Sequence, residues 1–168
     1  MVKRVSSDDR RSISRWIDKM GRYNRLTMGQ YNRLTSERRA KIARAELRLP
    51  YRSLGHGFYR LVYDMGNGYV LKVAISSSGM RCNELEYRLY TSCTKHLKQH
   101  LCPVVGFGHG WIMMKKVKVS GTGKHHKLNL IRKKFRKAGI QPTDMRRAGN
   151  SAMYEGRIVV VDYGNFMW

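Results

Sequence analysis

The chain has 168 residues, a length that suits one domain or one small domain with an appendage. Hydrophobic residues make up 42% and aromatic residues 10% of the chain, a composition that excludes general disorder. Lys and Arg number 34 against 11 Asp and Glu, which gives a formal net charge of +23. Such a surface attracts polyanions and repels a second copy of itself, so we expect a monomer.

The sequence also argues against a membrane or secreted protein. The longest mainly apolar stretch, Leu101–Met114, has 14 residues and three glycines, too few apolar positions to cross a bilayer. No apolar stretch follows the basic residues at the N-terminus, so we expect no secretory signal. The cysteines are odd in number and not closely paired, which is typical of reduced thiols in a cytoplasmic protein: Cys82, Cys93 and Cys102.

Residues 1–49 predict a basic, helical N-terminal segment; residues 1–48 carry 14 Lys and Arg against five Asp and Glu. Ser7-Asp8-Asp9 offers capping chemistry for a helix that begins near Arg10. Thr35-Ser36 predicts the cap of a further helix from Glu37 to about Leu47. Apolar spacing gives these two helices their inward faces: Ile13, Ile17 and Met20 in the first, and Ile42, Ala45 and Leu49 in the second.

A short repeat lies between these helices. Tyr23-Asn24-Arg25-Leu26-Thr27 recurs eight residues later as Tyr31-Asn32-Arg33-Leu34-Thr35, an offset too short for a solenoid. Interleaved Arg, Tyr and Asn side chains suit contacts to phosphates and bases. They suit equally a solvated basic face that packs on the next domain, and the sequence leaves both interpretations open.

From Pro50 the pattern changes to short strands and two amphipathic helices, which predicts a second domain over residues 50–168. The predicted strands are Tyr51–Ser53, Phe58–Met65, Tyr69–Ile75, Pro103–Phe107, Trp111–Val117 and Arg157–Val161, the last as part of a strand pair. The predicted helices cover residues 80–97 and 127–138, the second with Leu128, Ile131, Phe135 and Ala138 inward. This order predicts an α+β fold.

Four segments follow one another in an order that nucleotide phosphate chemistry would need. Gly55 and Gly57 lie in a strand–turn–strand, where backbone N–H groups can approach a phosphate without interference from Cβ atoms. Lys72 lies in an apolar strand, where its ammonium needs a charged partner. The following helix carries Glu84 and Glu86, which could supply that partner.

The last segment offers a carboxylate and a neutral side-chain oxygen, both of which are suitable ligands for a cation. Asp162 ends an apolar strand and precedes a glycine-containing turn, a position suited to holding a divalent cation. Asn150 offers a neutral oxygen ligand nearby, and Asp144 lies six residues before it.

These motifs resemble the protein-kinase-like family, and in particular the small bacteriophage-encoded Ser/Thr kinase-like proteins. The resemblance implies that Gly55 and Gly57 form a glycine-rich loop over ATP and that Lys72 contacts its phosphates while paired with Glu86. Met114 would end the strand that leads to the adenine-binding hinge.

The resemblance also assigns the later residues. Asp144 would be the catalytic base, while Asn150 and Asp162 would hold Mg²⁺, Asp162 in a motif similar to Asp-Phe-Gly. The implied fold is a minimal kinase-like fold: an antiparallel five-stranded N-lobe sheet with one helix, a truncated C-lobe and the basic N-terminal segment.

Four features depart from the family pattern. Thr143 precedes Asp144, where the family usually has His-Arg or His-Gly. Arg60 replaces the third glycine of the loop. The spacing from Asp144 to Asn150 is six residues instead of the usual five. The sequence also ends four residues after Gly164, so we expect the later helices that seat peptide substrates to be missing.

The sequence therefore predicts an ATP-dependent phosphotransferase, phage-encoded and modifying a host protein in the bacterial cytoplasm. The alternative is a catalytically weak or inactive kinase-like scaffold that binds nucleic acid or a host protein through its basic surface. Residues 115–147 hold 12 Lys and Arg against one acid, Asp144, a charge density beyond what ATP requires. The sequence alone does not choose between the two, nor does it name the acceptor.

Overall fold

The structure is a computed structural model that describes residues 4–26, 30–119, 125–147 and 149–167. Two compact units make up the chain. The first comprises Met1–Asn83 with Val105–Met114, and the second comprises Glu84–Val104 with Lys115–Trp168. The N-terminal helices thus share the first unit with the strands that follow them, and the separation of 1–49 from 50–168 as domains stays a prediction.

The N-terminal segment is helical, as predicted, and contains α1 (Ser7–Leu26), α2 (Gln30–Arg33) and α3 (Ser36–Leu47). The start of α1 lies earlier than Arg10, because Ser6 caps it in place of Ser7. The Asp9 N–H donates to the Ser6 hydroxyl at 3.0 Å, and that hydroxyl donates to the Asp9 carboxylate at 2.6 Å. The first bond satisfies the Asp9 N–H, one of the backbone groups that a helix end leaves unpaired, and the second orients the Ser6 hydroxyl.

The predicted apolar stripe of α1 is confirmed, since Ile13, Ile17 and Met20 are all buried. Trp16 is also buried, and its indole N–H donates to the Ala74 carbonyl at 2.8 Å. This bond satisfies the polar end of a large buried ring and fixes α1 to the strand that carries Ala74.

The cap of α3 is the predicted Thr35, whose hydroxyl accepts from the Arg38 N–H at 3.3 Å. Two of its predicted inward residues, Ile42 and Leu49, are partly buried and pack against the core. The fully buried residues of the helix are Ala40, Ala43 and Leu47. The prediction that Ala45 points inward is wrong. Ala45 is exposed, because two positions from Ala43 a helix has turned by more than half a revolution.

The first unit contains a five-stranded antiparallel sheet, as predicted. Its strand order is β1-β2-β3-β5-β4, with α4 (Ser77–Ser92) between β3 and β4 in the chain. The strands are β1 (Arg52–His56), β2 (Arg60–Asp64), β3 (Tyr69–Ala74), β4 (Val104–Gly108) and β5 (Trp111–Lys115).

The helix predicted over 80–97 is in fact two helices, α4 and α5 (Lys95–Lys98). The break falls at Thr94, which is extended with φ −60° and ψ 153°. Leu89 in α4 and Leu97 in α5 are both buried. The apolar spacing in the sequence thus predicted the buried leucines correctly but did not indicate the break between the two helices.

The second unit contains a three-stranded antiparallel sheet in the order β6-β7-β8 and the basic helix α6 (His125–Lys137). Its strands are β6 (Lys118–Val119), β7 (Ser151–Tyr154) and β8 (Arg157–Val160). The β7–β8 pair matches the predicted strand pair, whereas β6 was not predicted because two residues carry too little pattern.

Within α6, the predicted inward residues Leu128, Ile131 and Phe135 are buried. The prediction that Ala138 is inward is wrong, because Ala138 is exposed and lies after the end of the helix. Gly139 follows it with φ +78°, a left-handed conformation that ends helices. In the described parts of the chain, no helix is long and apolar enough to cross a membrane.

Candidate active site

The glycine-rich segment forms a tight connection between β1 and β2 in the first unit. The Gly57 N–H donates to the Arg60 carbonyl at 2.9 Å, which closes the connection. Gly55 has φ +130° and lies at an irregularity in the β1–β2 pairing. Only glycine adopts this conformation without strain. A Cβ placed on Gly55 or Gly57 would meet no atom within 4 Å, so the backbone here borders open space.

The strand register places Gly55 and Lys72 in one row across the sheet. Gly55 lies opposite Val62 in the β1–β2 pairing, and Val62 lies opposite Lys72 in the β2–β3 pairing. Neighbouring strands are about 4.8 Å apart, so the backbones of Gly55 and Lys72 lie about 10 Å apart. Directly opposed residues share a face of the sheet, and Val62 and Lys72 therefore point the same way.

Lys72 is 5% exposed and Met114, near the end of β5, is fully buried. An ammonium group that is removed from water needs a compensating charge or hydrogen bonds. Glu86 belongs to the second unit and Lys72 to the first, so the predicted Lys72–Glu86 ion pair stays a prediction.

The loop is also held from the N-terminal helical segment, a contact that the sequence did not indicate. The Arg39 guanidinium of α3 donates through Nη2 to the Phe58 carbonyl at 3.1 Å. At the next residue, the Tyr59 carbonyl accepts from the Ile75 N–H at 2.8 Å. Two consecutive carbonyls of the loop are thus tied, one to α3 and one to the residue after β3.

Arg60, which occupies the third glycine position, is buried. Its guanidinium donates through Nη1 to the Asn83 side-chain oxygen at 3.1 Å. The departure from the glycine pattern therefore links the start of β2 to α4.

In the second unit, Asp144 lies in an exposed turn with φ +55°. This left-handed conformation is uncommon outside glycine, but Asp tolerates it better than most residues. The Arg147 N–H donates to the Asp144 carbonyl at 3.0 Å, and the Asn150 N–H donates to the Arg147 carbonyl at 3.0 Å. Gly149, with φ +91°, lets the chain complete the turn, which accommodates the six-residue spacing.

Asn150 connects the turn to the strand that carries Asp162. Its side-chain amide donates through Nδ2 to the Asp144 carbonyl at 3.0 Å. Its backbone carbonyl accepts from the N–H of Val161, the residue directly before Asp162, at 2.9 Å. The structure thus joins Asp144 to Asn150, and Asn150 to Val161, the residue directly before Asp162. Because Nδ2 is used by this bond, the side-chain oxygen of Asn150 is the atom that could coordinate a cation.

The turn is attached to the segment after Asp162 as well. The Thr143 hydroxyl donates to the Asn165 carbonyl at 2.8 Å. Gln141 and Met167 exchange backbone hydrogen bonds of 2.6 and 3.1 Å. These contacts hold the Asp144 loop and the Asp162-Tyr163-Gly164 motif together on both sides.

Glu86 is fully buried, and its carboxylate accepts from the Tyr163 N–H at 3.2 Å. This contact joins α4 to the Asp162-Tyr163-Gly164 motif. Tyr163 is itself buried and donates from its hydroxyl to the Cys102 carbonyl at 2.9 Å. Burial raises the pKa of Tyr163 well above 10, and the charge of Glu86 acts in the same direction, so this phenol stays protonated. The sequence analysis singled out Glu86 and the motif that contains Tyr163, but nothing in the sequence indicated that the two are in contact.

No cluster of three or more His, Cys, Asp or Glu side chains suited to a metal lies within the described residues. A magnesium ion carried by a nucleotide needs fewer protein ligands, because one or two carboxylates suffice when phosphates and waters complete its shell. Asp162 and the side-chain oxygen of Asn150 fit that requirement by donor type.

Comparisons with known proteins bear on the fold. No family model matches the sequence, and no curated protein matches it. The structure is similar to part of a solved structure, the bifunctional kinase-methyltransferase WbdD, with a TM-score of 0.50 at 15% sequence identity. The similarity covers 65% of this chain and 30% of that chain. Likeness at this identity concerns the fold alone, and the α+β architecture with its five-stranded sheet is compatible with a small kinase-like fold.

Proposed function

We propose that the chain is an ATP-dependent phosphotransferase of the protein-kinase-like type, phage-encoded and acting on a hydroxyl group of a host protein in the bacterial cytoplasm. The observation that carries this proposal is the Asn150 network. The Asn150 side chain holds the Asp144 turn, while the Asn150 backbone carbonyl accepts from Val161, the residue directly before Asp162. Phosphoryl transfer depends on such positioning more than on covalent chemistry by the protein.

The first unit would bind the nucleotide. Backbone N–H groups near Gly55 and Gly57 would face the phosphates, where a Cβ would otherwise keep them at a distance. Lys72 lies in the same row of the sheet and would neutralise phosphate charge. Met114, buried near the end of β5, would precede the hinge that binds adenine.

The second unit would supply the acceptor chemistry. Asp144 would accept the proton of the acceptor hydroxyl while that oxygen forms its bond to the γ-phosphorus. The bond from the γ-phosphorus to the bridging oxygen breaks, and ADP leaves. Asp162 and the Asn150 side-chain oxygen would hold Mg²⁺, which when bound neutralises charge on the phosphates.

The resemblance favours serine or threonine as the acceptor. The phage origin and the cytoplasmic location stay predictions. The WbdD structure supports the kinase-like fold and no particular acceptor.

The test is incubation of the purified chain with γ-labelled ATP and Mg²⁺ in bacterial lysate, alongside binding of a fluorescent ATP analogue with and without Mg²⁺. Asp162→Ala should abolish Mg²⁺-dependent binding and transfer. Asp18→Ala, an exposed carboxylate on α1, is the matched control and should retain both. Circular dichroism would show that the variants are folded.

Failure of the wild-type chain to bind ATP or transfer phosphate would overturn the proposal. Equal activity of Asp162→Ala and the wild-type chain would remove Asp162 from the site. The rival scaffold function requires that no phosphate transfer depends on Asp144, Asn150 or Asp162.

A further inference from the structure

On one side of the second unit, a lysine and two histidines pack against one another. The Lys134 ammonium of α6 lies 3.2 Å from Nε2 of His100. Nδ1 of the same imidazole lies 3.4 Å from the Ile158 carbonyl, and the His96 ring lies edge-on at 6.4 Å between centroids. With Nδ1 donating and Nε2 accepting, this geometry fits a neutral His100 beside a charged lysine.

The charge extends along α6 beyond this contact. Lys127, Leu130, Lys134 and Lys137 follow one another at spacings of three and four residues and therefore share one side of the helix. Because Lys134 contacts His100, this side is the one turned toward His100. We name this group of side chains the His100 face. Its members are His96, His100, Lys127, Lys134, Lys137 and Arg157.

Few acids compensate these charges. No Asp or Glu occurs between Tyr87 and Thr143, a stretch that includes α5 and α6. The acid at this face is Glu155, whose carboxylate lies 3.6 Å from the Arg157 guanidinium. Both groups are more than half exposed, and such pairs are weak.

The protonation of His100 reflects this charge balance. Burial is the main cause that lowers the pKa of His100 below its usual 6.5, and the Ile158 carbonyl opposes it. Lys134 of α6, His96 of α5 and Arg157 of β8 lower this pKa further. Lys134 and Arg157 thus place positive charge beside His100 from two elements, a local excess that a bound anion would relieve.

We propose that the His100 face binds the phosphate backbone of nucleic acid. From Lys127 to Lys137 the helix rises about 15 Å. Phosphates of one stacked strand repeat about every 3.4 Å, so this row of lysines spans about four of them. The row therefore has the length and charge of a short nucleic-acid segment.

The composition of the face favours nucleic acid over an acidic protein. Protein interfaces are poor in lysine and rich in aromatic residues at their centres. The lysine stripe of α6 exposes one large apolar side chain, Leu130 at 47%, and no aromatic ring. Backbone recognition of this kind carries no base readout, so the binding should be independent of sequence.

The experiment measures fluorescence anisotropy with two labelled probes, a 20-nucleotide single-stranded RNA and a 20-base-pair DNA duplex, at 50 to 200 mM salt. With about four phosphate contacts, affinity should fall about a hundredfold for the duplex and about fiftyfold for the single strand over this range. The triple variant Lys127→Ala, Lys134→Ala, Lys137→Ala should bind more weakly, with a salt slope smaller by about 2.7 for the duplex and about 2.1 for the single strand. Thermal melting would check that it remains folded.

The matched control removes three exposed charges from the first unit: Arg10→Ala, Arg15→Ala, Lys41→Ala. It has the same net charge as the α6 variant and should bind as the wild-type chain does. An equal loss in both variants would show that net charge and not this face binds the probes, and would overturn the proposal.

Failure of the wild-type chain to bind either probe at 50 mM salt would also overturn it, and so would binding to polyglutamate or to phosphatidylserine vesicles without nucleic-acid binding. None of these outcomes depends on ATP or on Asp162, so the result is independent of the proposed phosphotransferase activity.

Discussion

The Asn150 side-chain amide donates to the Asp144 carbonyl at 3.0 Å, so the candidate metal ligand also fixes the backbone of the candidate base. Asn150 would therefore do two things: bind the metal ion through its side-chain oxygen and hold the Asp144 turn through its side-chain N–H group. A carboxylate at position 150 would be a stronger ligand for a hard cation, but it could not donate this hydrogen bond.

Asn150→Asp should therefore lower kcat, although it adds a carboxylate to the site. Two acceptors would face each other at the Asp144 carbonyl, and the turn would lose its closing bond. Loss of one such bond costs about 1 kcal/mol, and we expect a fall in kcat of about tenfold or more from the displaced Asp144. Steady-state kinetics with varied Mg²⁺ would measure it. Unchanged or higher kcat would mean that Asn150 acts as a ligand alone.

The Glu86 carboxylate should contribute to stability through its contact with the Tyr163 N–H. Glu86→Ala leaves this buried N–H without that acceptor, at a cost of about 1 to 3 kcal/mol in unfolding free energy. Glu86→Gln keeps an acceptor oxygen and should cost less. Urea denaturation monitored by tryptophan fluorescence would measure both.

The same variants test the predicted pair with Lys72. Glu86→Gln should stay folded yet lose phosphate transfer if the negative charge holds Lys72 at the phosphates. The control is Glu84→Gln, which removes an exposed carboxylate 3.7 Å from Arg88 and should change stability by about 0.5 kcal/mol or less. Full activity in a folded Glu86→Gln variant would contradict the assigned role.

The sequence predicted what depends on local pattern. The stripe Ile13, Ile17 and Met20 and the order of strands around Lys72 follow from periodicity and turn residues, and the structure has both. The contact of Glu86 with Tyr163 joins residues 77 positions apart, and nothing in either local segment encodes it. In α3 only Ala45 was assigned to the wrong side, because a small residue fits more than one face and packing decides between them.

Arg39 provides a second example, because its contact with Phe58 joins an N-terminal helix to the glycine-rich connection. Arg39→Ala should raise the KM for ATP by about three- to tenfold with little change in kcat, because a charge-assisted bond that orders the loop is lost. Arg39→Lys should restore part of the affinity. The neighbouring exposed Arg38→Ala is the matched control. Equal KM values for Arg39→Ala and Arg38→Ala would show that the contact does not order the loop.

Tyr51 should make the first unit sensitive to alkali. Its hydroxyl donates to the Asp9 carboxylate at 2.6 Å, and Asp9 is buried at the start of α1. Burial raises the pKa of Tyr51 to about 12, and the hydrogen bond to Asp9 and the charge of Asp9 raise it too. The folded state thus keeps a proton that the unfolded chain loses near pH 10.

The resulting stabilisation is fully present below pH 10 and is lost as the pH rises from 10 through 12. Tyr51→Phe removes this titration and should make the decline of the melting temperature between pH 9 and 12 shallower, although it lowers stability at neutral pH by breaking the bond to Asp9. Tyr31 and Tyr63, whose pKa values burial likewise raises to about 12, should preserve part of the decline. Tyr59→Phe, at an exposed position, is the control and should follow the wild-type profile. Identical slopes in Tyr51→Phe and the wild-type chain would show that the Tyr51–Asp9 bond does not govern alkaline unfolding.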